Sequence, residues 1–401
     1  MECATYAAFG VPIAMLGAGW PGARQMFDRP SSALGVLAMA YGIGRLATAA
    51  TGQLLLRRWR IGGCNRTALA IMATAEVAVA LTTSFPLLVG AFTVVGLCSG
   101  SLDSLGNRYQ TEVRLVRNAG LMFGAYGIGA TVGPALIALT TWTTAYLAAA
   151  AVSASAAALA GSNLVAWPAG LTTIDRTRTH LDPDIGINAT AKPAPLALVP
   201  LVTTLFCFAL YCALEVSTGG WTATYFEEYR GTSAQWAGLA VSGFWAGITL
   251  SRLLMGRLRM DPHQILSVGA PAVVVAYVSV PFLPTPLAIA AVLVGGAALS
   301  VMLPTLIVTT TERVGTAATG RVTGYQLLAA NVGATGITAG IGVIVARTND
   351  GAPIWVLIGL AVVALPLLLR TLHLHPPGPA TGSEGEVAGA DRENLATGKP
   401  A

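Results

Sequence analysis

The sequence predicts an all-α membrane protein, with twelve transmembrane helices in two pseudo-symmetric six-helix bundles. Three observations carry that expectation. Hydrophobic residues make up 54% of the 401-residue chain and charged residues only 10%, where a soluble domain carries roughly a quarter charged residues. About a dozen apolar runs are each long enough to cross a bilayer. The two halves of the chain also echo one another at a nearly constant offset.

A helix rises about 1.5 Å per residue, so roughly 20 apolar residues cross a hydrocarbon core of about 30 Å. Six runs of that length begin near Ala4, Ser32, Thr67, Pro86, Asn118 and Trp142. Six more begin near Leu196, Thr232, Gln264, Pro286, Gly320 and Pro353. Between the two sets lies a polar stretch rich in charge and proline. The expected organisation is therefore a first bundle over residues 1–166, a cytoplasmic loop over 167–195, a second bundle over 196–372 and a cytoplasmic tail over 373–401. The tail is rich in Pro, Gly and Glu, a composition that buries too little apolar surface to order itself. Glu2 precedes the first run, which has no basic segment before it and continues too far for a cleavable leader.

Charge places the ends. Loops that hold Arg57, Arg58, Arg60, Arg66, Arg114, Arg117, Arg176, Arg178, Lys192, Arg257, Arg259, Arg313 and Arg321 fall on one side. Only Arg24, Arg29, Arg230 and Arg347 fall on the other. The basic side is cytoplasmic by the positive-inside bias, and an even number of crossings puts both termini there. The net charge of +5 is thus topological, spread between runs rather than gathered into a nucleic-acid patch. Five cysteines (Cys3, Cys64, Cys98, Cys207 and Cys212) are odd in number and lack metal spacing. They read as small buried hydrophobes, not as a disulfide framework.

The internal repeat is specific in position. Gly52-Gln53-Leu54 recurs as Gly256-Arg257-Leu258, and Gly129-Ala130-Thr131 as Gly333-Ala334-Thr335, both offset by 204. Gly19-Trp20 recurs as Gly220-Trp221, offset by 201. Two parallel six-helix halves joined by a polar loop imply a transporter whose solute site lies between the halves, near the bilayer midplane.

Several segments carry a resemblance. GSLDSLGNRYQTEV (Gly100 to Val113), AYGIGATVGPAL (Ala125 to Leu136), YCALEVSTGGWTATYF (Tyr211 to Phe226) and GFWAGITLSRLLMGRL (Gly243 to Leu258) resemble helices four, five, seven and eight of major facilitator transporters. The likeness is to the branch related to fucose and hexose permeases. LPTLIVTTTERVG (Leu303 to Gly315) and YQLLAANVGAT (Tyr325 to Thr335) are similar to its helices ten and eleven. The resemblance implies secondary transport of a small, sugar-like solute across the cytoplasmic membrane by alternating access, coupled to protons. Three positions depart from the pattern. Leu56 stands where an aspartate is usual after run two. Phe123 stands where relatives often have a histidine, and run one has no acid before Asp28. These departures bear on sugar specificity and on proton coupling.

An ionisable residue inside a membrane costs about 2.5–3.5 kcal/mol on insertion scales, so each such residue asks for a reason. Asp103 in run four, with Asn107 one turn on, can take up and release a proton as its surroundings dry and hydrate; a helix-packing hydrogen bond is the plainer role. Glu215 in run seven follows Tyr211 and precedes Gly219 and Gly220, which can loosen the helix at a gate. Its plainer role is a salt bridge that fixes the helix. Trp20 and Trp221 could stack on a solute ring or anchor the helices at the lipid interface, the commoner use of Trp at that depth. Arg45 and Glu76, near the middles of runs two and three, are expected to pair with each other. Arg252 and Arg108, near inner helix ends, are expected to snorkel or to brace a cytoplasmic gate. Tyr325, Gln326, Asn331, Phe244 and Trp245 are further cavity candidates. Gly127, Gly129 and Gly133 ahead of Pro134 would let helices approach closely and flex.

The chain has no P-loop, no H-E-x-x-H and no G-x-S-x-G, so neither an ATP motor nor a hydrolase is expected. No cofactor or metal is implied. The expected partners are a small solute, protons and the bilayer, and the expected state is a monomer. The alternative within the same class is a proton-antiport exporter of drugs or metabolites. Its glycine pattern in run five is incomplete, since Ala135-Leu136-Ile137-Ala138 follow Pro134. A membrane sensor or membrane enzyme would need clustered catalytic groups at one face or a large appended domain, which the sequence lacks.

Overall fold

The computed structural model describes residues 2–56, 61–113, 116–162, 198–255 and 261–372. The polar loop over 167–195, the tail over 373–401 and the repeat triplet at Gly256 lie outside these residues. So do the side chains at Gly52–Leu54, Arg108, Arg114 and Arg117.

Six helices form the first half: α1 Glu2–Ala23, α2 Leu34–Leu56, α3 Ile61–Leu81, α4 Phe85–Val113, α5 Val116–Leu139 and α6 Trp142–Ala160. The second half holds α7 Leu198–Thr224, α8 Ala234–Met255 and α9 Pro262–Ser279. Run ten follows in three pieces, α10 Thr285–Ser300, α11 Met302–Val308 and α12 Thr310–Val314, and then α13 Thr316–Arg347 and α14 Ala352–Thr371. These make twelve crossings. Among the described residues, ten helices are long and apolar enough to span a membrane, and α9 is a shorter apolar helix. Large apolar side chains face outward throughout, among them Leu139, Leu198, Val275 and Phe282, each about 70% exposed. Lipid is the solvent that tolerates such a surface.

Local chemistry sets the ends. Thr141 caps α6 by accepting from the Thr144 amide at 3.2 Å. Asp261 and Gln264 form a reciprocal capping box that starts α9 slightly ahead of the start read from hydropathy. Run ten breaks at Val301 and Thr309, and Pro304 sits in the first turn of α11, where its missing N–H is tolerated.

Packing repeats between halves. In the first half α1 lies along α5, α2 along α4 and α3 along α6; in the second α7 lies along α13, α8 along α10 and α9 along α14. Close approaches recur at matching positions. A methyl group at Gly129 would strike the Ala7 carbonyl, and one at Gly333 the Ala209 carbonyl. Gly96 abuts the Tyr41 backbone, as Gly296 abuts that of Phe244. Only glycine lets the backbones approach this closely.

Across the halves, α5 packs on α8, α2 on α13 and α1 on α7. One end of this interface is closed. Gly17 meets the backbone of Gly219 and Gly220, Gly35 meets Ala339 and Gly342, and Gly42 meets the Thr335 side chain. On α13 the residues Gly324, Leu327, Asn331, Thr335, Thr338 and Gly342 follow helical spacing and share one face. Gly342 and Thr335 touch α2, yet among the described residues a methyl group at Gly324 would meet nothing within 4 Å, and Leu327 is 52% exposed. The halves are therefore shut at the end where α1 finishes; toward the opposite end the described residues of α13 part from α2, while α5 and α8 still touch at Gly124 and Leu253.

Candidate functional site

Between the halves lies a cavity of about 220 Å³. It is roofed by the glycine contacts at the shut end and walled by α1, α2, α4, α5, α7, α8 and α13. Two ion pairs line it, one from each half. In the first half Arg45 on α2 donates from Nη2 to Asp103 Oδ2 on α4 at 2.9 Å. In the second half Arg252 on α8 donates from Nη2 to Glu215 Oε1 on α7 at 2.9 Å, and to the Tyr211 hydroxyl at 3.2 Å. Asn107 adds a long 3.5 Å bond from Nδ2 to Asp103 Oδ1. Each cation faces a carboxylate of its own half, so the cavity is charge-balanced while presenting four ionic groups to whatever enters it.

Aromatic rings form one part of the wall, and aliphatic side chains such as Ile13, Leu34, Val216 and Leu303 form another. Tyr6 meets Phe9 edge-on at 4.8 Å between centroids, and Phe9 meets Tyr126 at 5.3 Å. Tyr126 in turn meets Trp245, across the interface on α8, at 6.1 Å. Phe123 extends the row behind Tyr6 at 6.0 Å. Among the described residues, the Tyr6 hydroxyl and the Trp245 indole N–H are buried with no hydrogen-bond partner, so both are candidates to bond a solute. Cys212 lines the same space with a free thiol. Among the described residues, no three His, Cys, Asp or Glu side chains gather as metal ligands would.

The residues singled out from sequence divide clearly. Asp103, Glu215, Arg45, Arg252, Asn331 and Trp245 line the cavity. Arg252 stands in the last turn of α8, as expected, and there it pairs with Glu215 across the cavity wall. The expected pairing of Arg45 with Glu76 is wrong. The helix α2 packs along α4, while α3 packs along α6 and α4, so Arg45 reaches Asp103 instead. Glu76 is fully buried, and neither of its carboxylate oxygens has a hydrogen-bond partner among the described residues.

Trp20 and Trp221 lie neither in the cavity nor at the lipid surface. Both are fully buried, and their indole N–H groups donate to the carbonyls of Ser31 and Thr338, each at 3.0 Å. Matching tryptophans thus tie the end of α1 to the turn before α2 and the end of α7 to α13. Tyr211 sits behind Glu215, outside the cavity lining. Gln326 is buried and donates to the Thr310 hydroxyl at 2.8 Å. Phe244 is core, and Tyr325 is 45% exposed away from the cavity. The side chain of Arg108 lies outside the described residues.

Sequence reasoning missed Tyr6, Phe9 and Tyr126, because an aromatic residue within an apolar run gives no sign of which way it faces. It also missed Arg313 as a hub. This fully buried guanidinium donates to the hydroxyls of Thr204, Thr309 and Thr310 and to the Leu306 carbonyl, which ties α12 to α7 and α11.

A model of the major facilitator superfamily matches residues 3–338. The chain belongs to that superfamily. Solved structures of superfamily transporters share its fold. A point mutant of the nucleoside transporter NupG superposes with a TM-score of 0.72 at 14% identity, over 92% of this chain and 97% of that one. A D-xylose-proton symporter gives 0.68 at 13% identity, over 94% and 96%. The transporter FucP in its outward conformation gives 0.59 at 14% identity, over 93% and 97%. A comparison with curated protein sequences finds no match. The chain is thus a multi-pass membrane protein, and its superfamily and structural neighbours are those of transporters rather than enzymes.

Proposed function

We propose that the protein is a proton-coupled secondary transporter that moves a small, net-neutral polar solute across the cytoplasmic membrane by alternating access. The observation that carries the reading is the pair of salt bridges, one in each half, facing a cavity that is shut at one end. With the basic loops cytoplasmic, the shut end is extracellular and the cavity faces inward. Both termini are then cytoplasmic, and the chain works as a monomer.

The charge balance argues for the solute class. A net-charged solute would add an uncompensated charge to a low-dielectric site that already pairs its own ions. A neutral molecule with hydroxyl or carbonyl groups can take hydrogen bonds from the arginines, Tyr6 and Trp245 while a flat face rests on Tyr126 and Phe9. Nucleosides and sugars, the substrates named for NupG and for the xylose symporter, have this character.

The acids argue for the coupling. Asp103 and Glu215 are the acids that line the cavity, each held by an arginine that the solute or a conformational step can draw away, so they are the groups we assign to the coupling. The direct test is accumulation of radiolabelled uridine and D-xylose in vesicles with acid outside. Wild-type protein should concentrate its solute, whereas Asp103→Asn and Glu215→Gln should equilibrate it without concentrating it. Undiminished accumulation in both variants would remove the two acids from the mechanism.

A further inference from the structure

We infer that Arg24 and Glu228 form the latch of the extracellular gate. The inference rests on the alternating-access reading above and goes beyond it by naming the residues that set which way the cavity faces. Arg24 follows directly on α1, and Glu228 lies in the π-turn Tyr225–Tyr229 that ends α7. Arg24 donates from Nε to Glu228 Oε1 at 2.8 Å and from Nη2 to Oε2 at 2.7 Å. Such a planar fork is the strongest geometry available to an ion pair. The side chains are 25% and 18% exposed, so water only partly screens the pair.

Its place in the fold distinguishes it from the other two bridges. Arg45–Asp103 lies within the first half and Arg252–Glu215 within the second. Each can travel intact as its half rocks. Arg24–Glu228 joins the halves, at the end where Gly17 rests on Gly219 and Gly220. Turning the cavity outward separates these ends of α1 and α7 and must break both bonds of the fork. Once apart the two groups stand in water, so opening strands no charge in a dry interior, and the latch is reversible. Glu227 and Asp350 also lie near Arg24. Replacing Glu228 alone therefore leaves the cation other acids, and Arg24 is the side to remove.

Cys212, a native thiol in the cavity, reports the change without knowledge of the solute. The experiment uses the full chain in cells, with its other four cysteines replaced by serine or alanine. A membrane-impermeant maleimide is added outside, and labelling is normalised to the thiol reactive after solubilisation. Wild-type Arg24 should protect Cys212. Arg24→Gln should raise the external labelling rate by about fivefold, as loss of a well-oriented, partly exposed pair shifts the equilibrium. Glu228→Gln should raise it less, and the exchange Arg24→Glu with Glu228→Arg should restore part of the protection. Equal rates in the parent and Arg24→Gln proteins, both protected and both folded by thermal unfolding, would overturn the latch. Full external labelling of the parent would instead overturn the inward-facing reading beneath it.

Discussion

The partner of Arg45 offers the sharpest energetic test, because sequence and structure give different answers. Arg45 and Asp103 approach to 2.9 Å, each 21% exposed toward the cavity. At an effective dielectric of about 20 two unit charges at that distance attract by roughly 6 kcal/mol. Water in the cavity screens much of that, which leaves a coupling of about 2 kcal/mol. A double-mutant cycle isolates the value: Arg45→Gln, Asp103→Asn and the double variant, each unfolded by detergent titration in mixed micelles. The double variant should be less destabilised than the sum of the singles by about 2 kcal/mol. The parallel cycle of Arg45→Gln with Glu76→Gln should show coupling within about 0.5 kcal/mol of zero. A large coupling to Glu76 and none to Asp103 would refute the helix arrangement that assigns the pair.

Three further outcomes follow from the packing. A methyl group at Gly17 would stand 2.6 Å from Gly220 Cα and 2.7 Å from its carbonyl oxygen, so Gly17→Ala should hold the gate ajar; an outward shift smaller than about threefold in external labelling of Cys212 would count against the closure described. Trp20→Phe leaves the Ser31 carbonyl without its donor and should cost about 1–2 kcal/mol in unfolding while leaving solute affinity unchanged, and a changed KM would return Trp20 to the binding site. Arg313→Lys should destabilise by about 3 kcal/mol, since an ammonium cannot span the three threonines and the Leu306 carbonyl at once; near-wild-type stability would show that the hub is dispensable.

Much of the fold was legible because lipid leaves a chain few options. The apolar runs had to be helices that satisfy their own backbones, and the repeat placed Gly129 and Gly333 where the structure shows matching close approaches. Asp103 and Glu215 were legible as cavity residues because an acid within an apolar run is costly unless it has work there. The partners were not. Order along the chain suggested that runs two and three lie side by side, yet in three dimensions α2 lies on α4 and α3 on α6. Burial direction was likewise invisible. Trp20 and Trp245 both stand in apolar surroundings, yet one is locked to a carbonyl in the core and the other faces the cavity. The Arg24–Glu228 fork joins residues 204 apart in sequence, and neither one had a neighbour that hinted at the other.

The central claim is that solute and proton cross together through the paired charges. It is tested most directly with a pH electrode in a weakly buffered suspension of de-energised cells that express the protein. Uridine or D-xylose is added outside. The account predicts an immediate rise in external pH with the wild-type protein, as protons enter with the solute, and no rise with Asp103→Asn or Glu215→Gln. Entry of labelled solute with no change in external pH would contradict it.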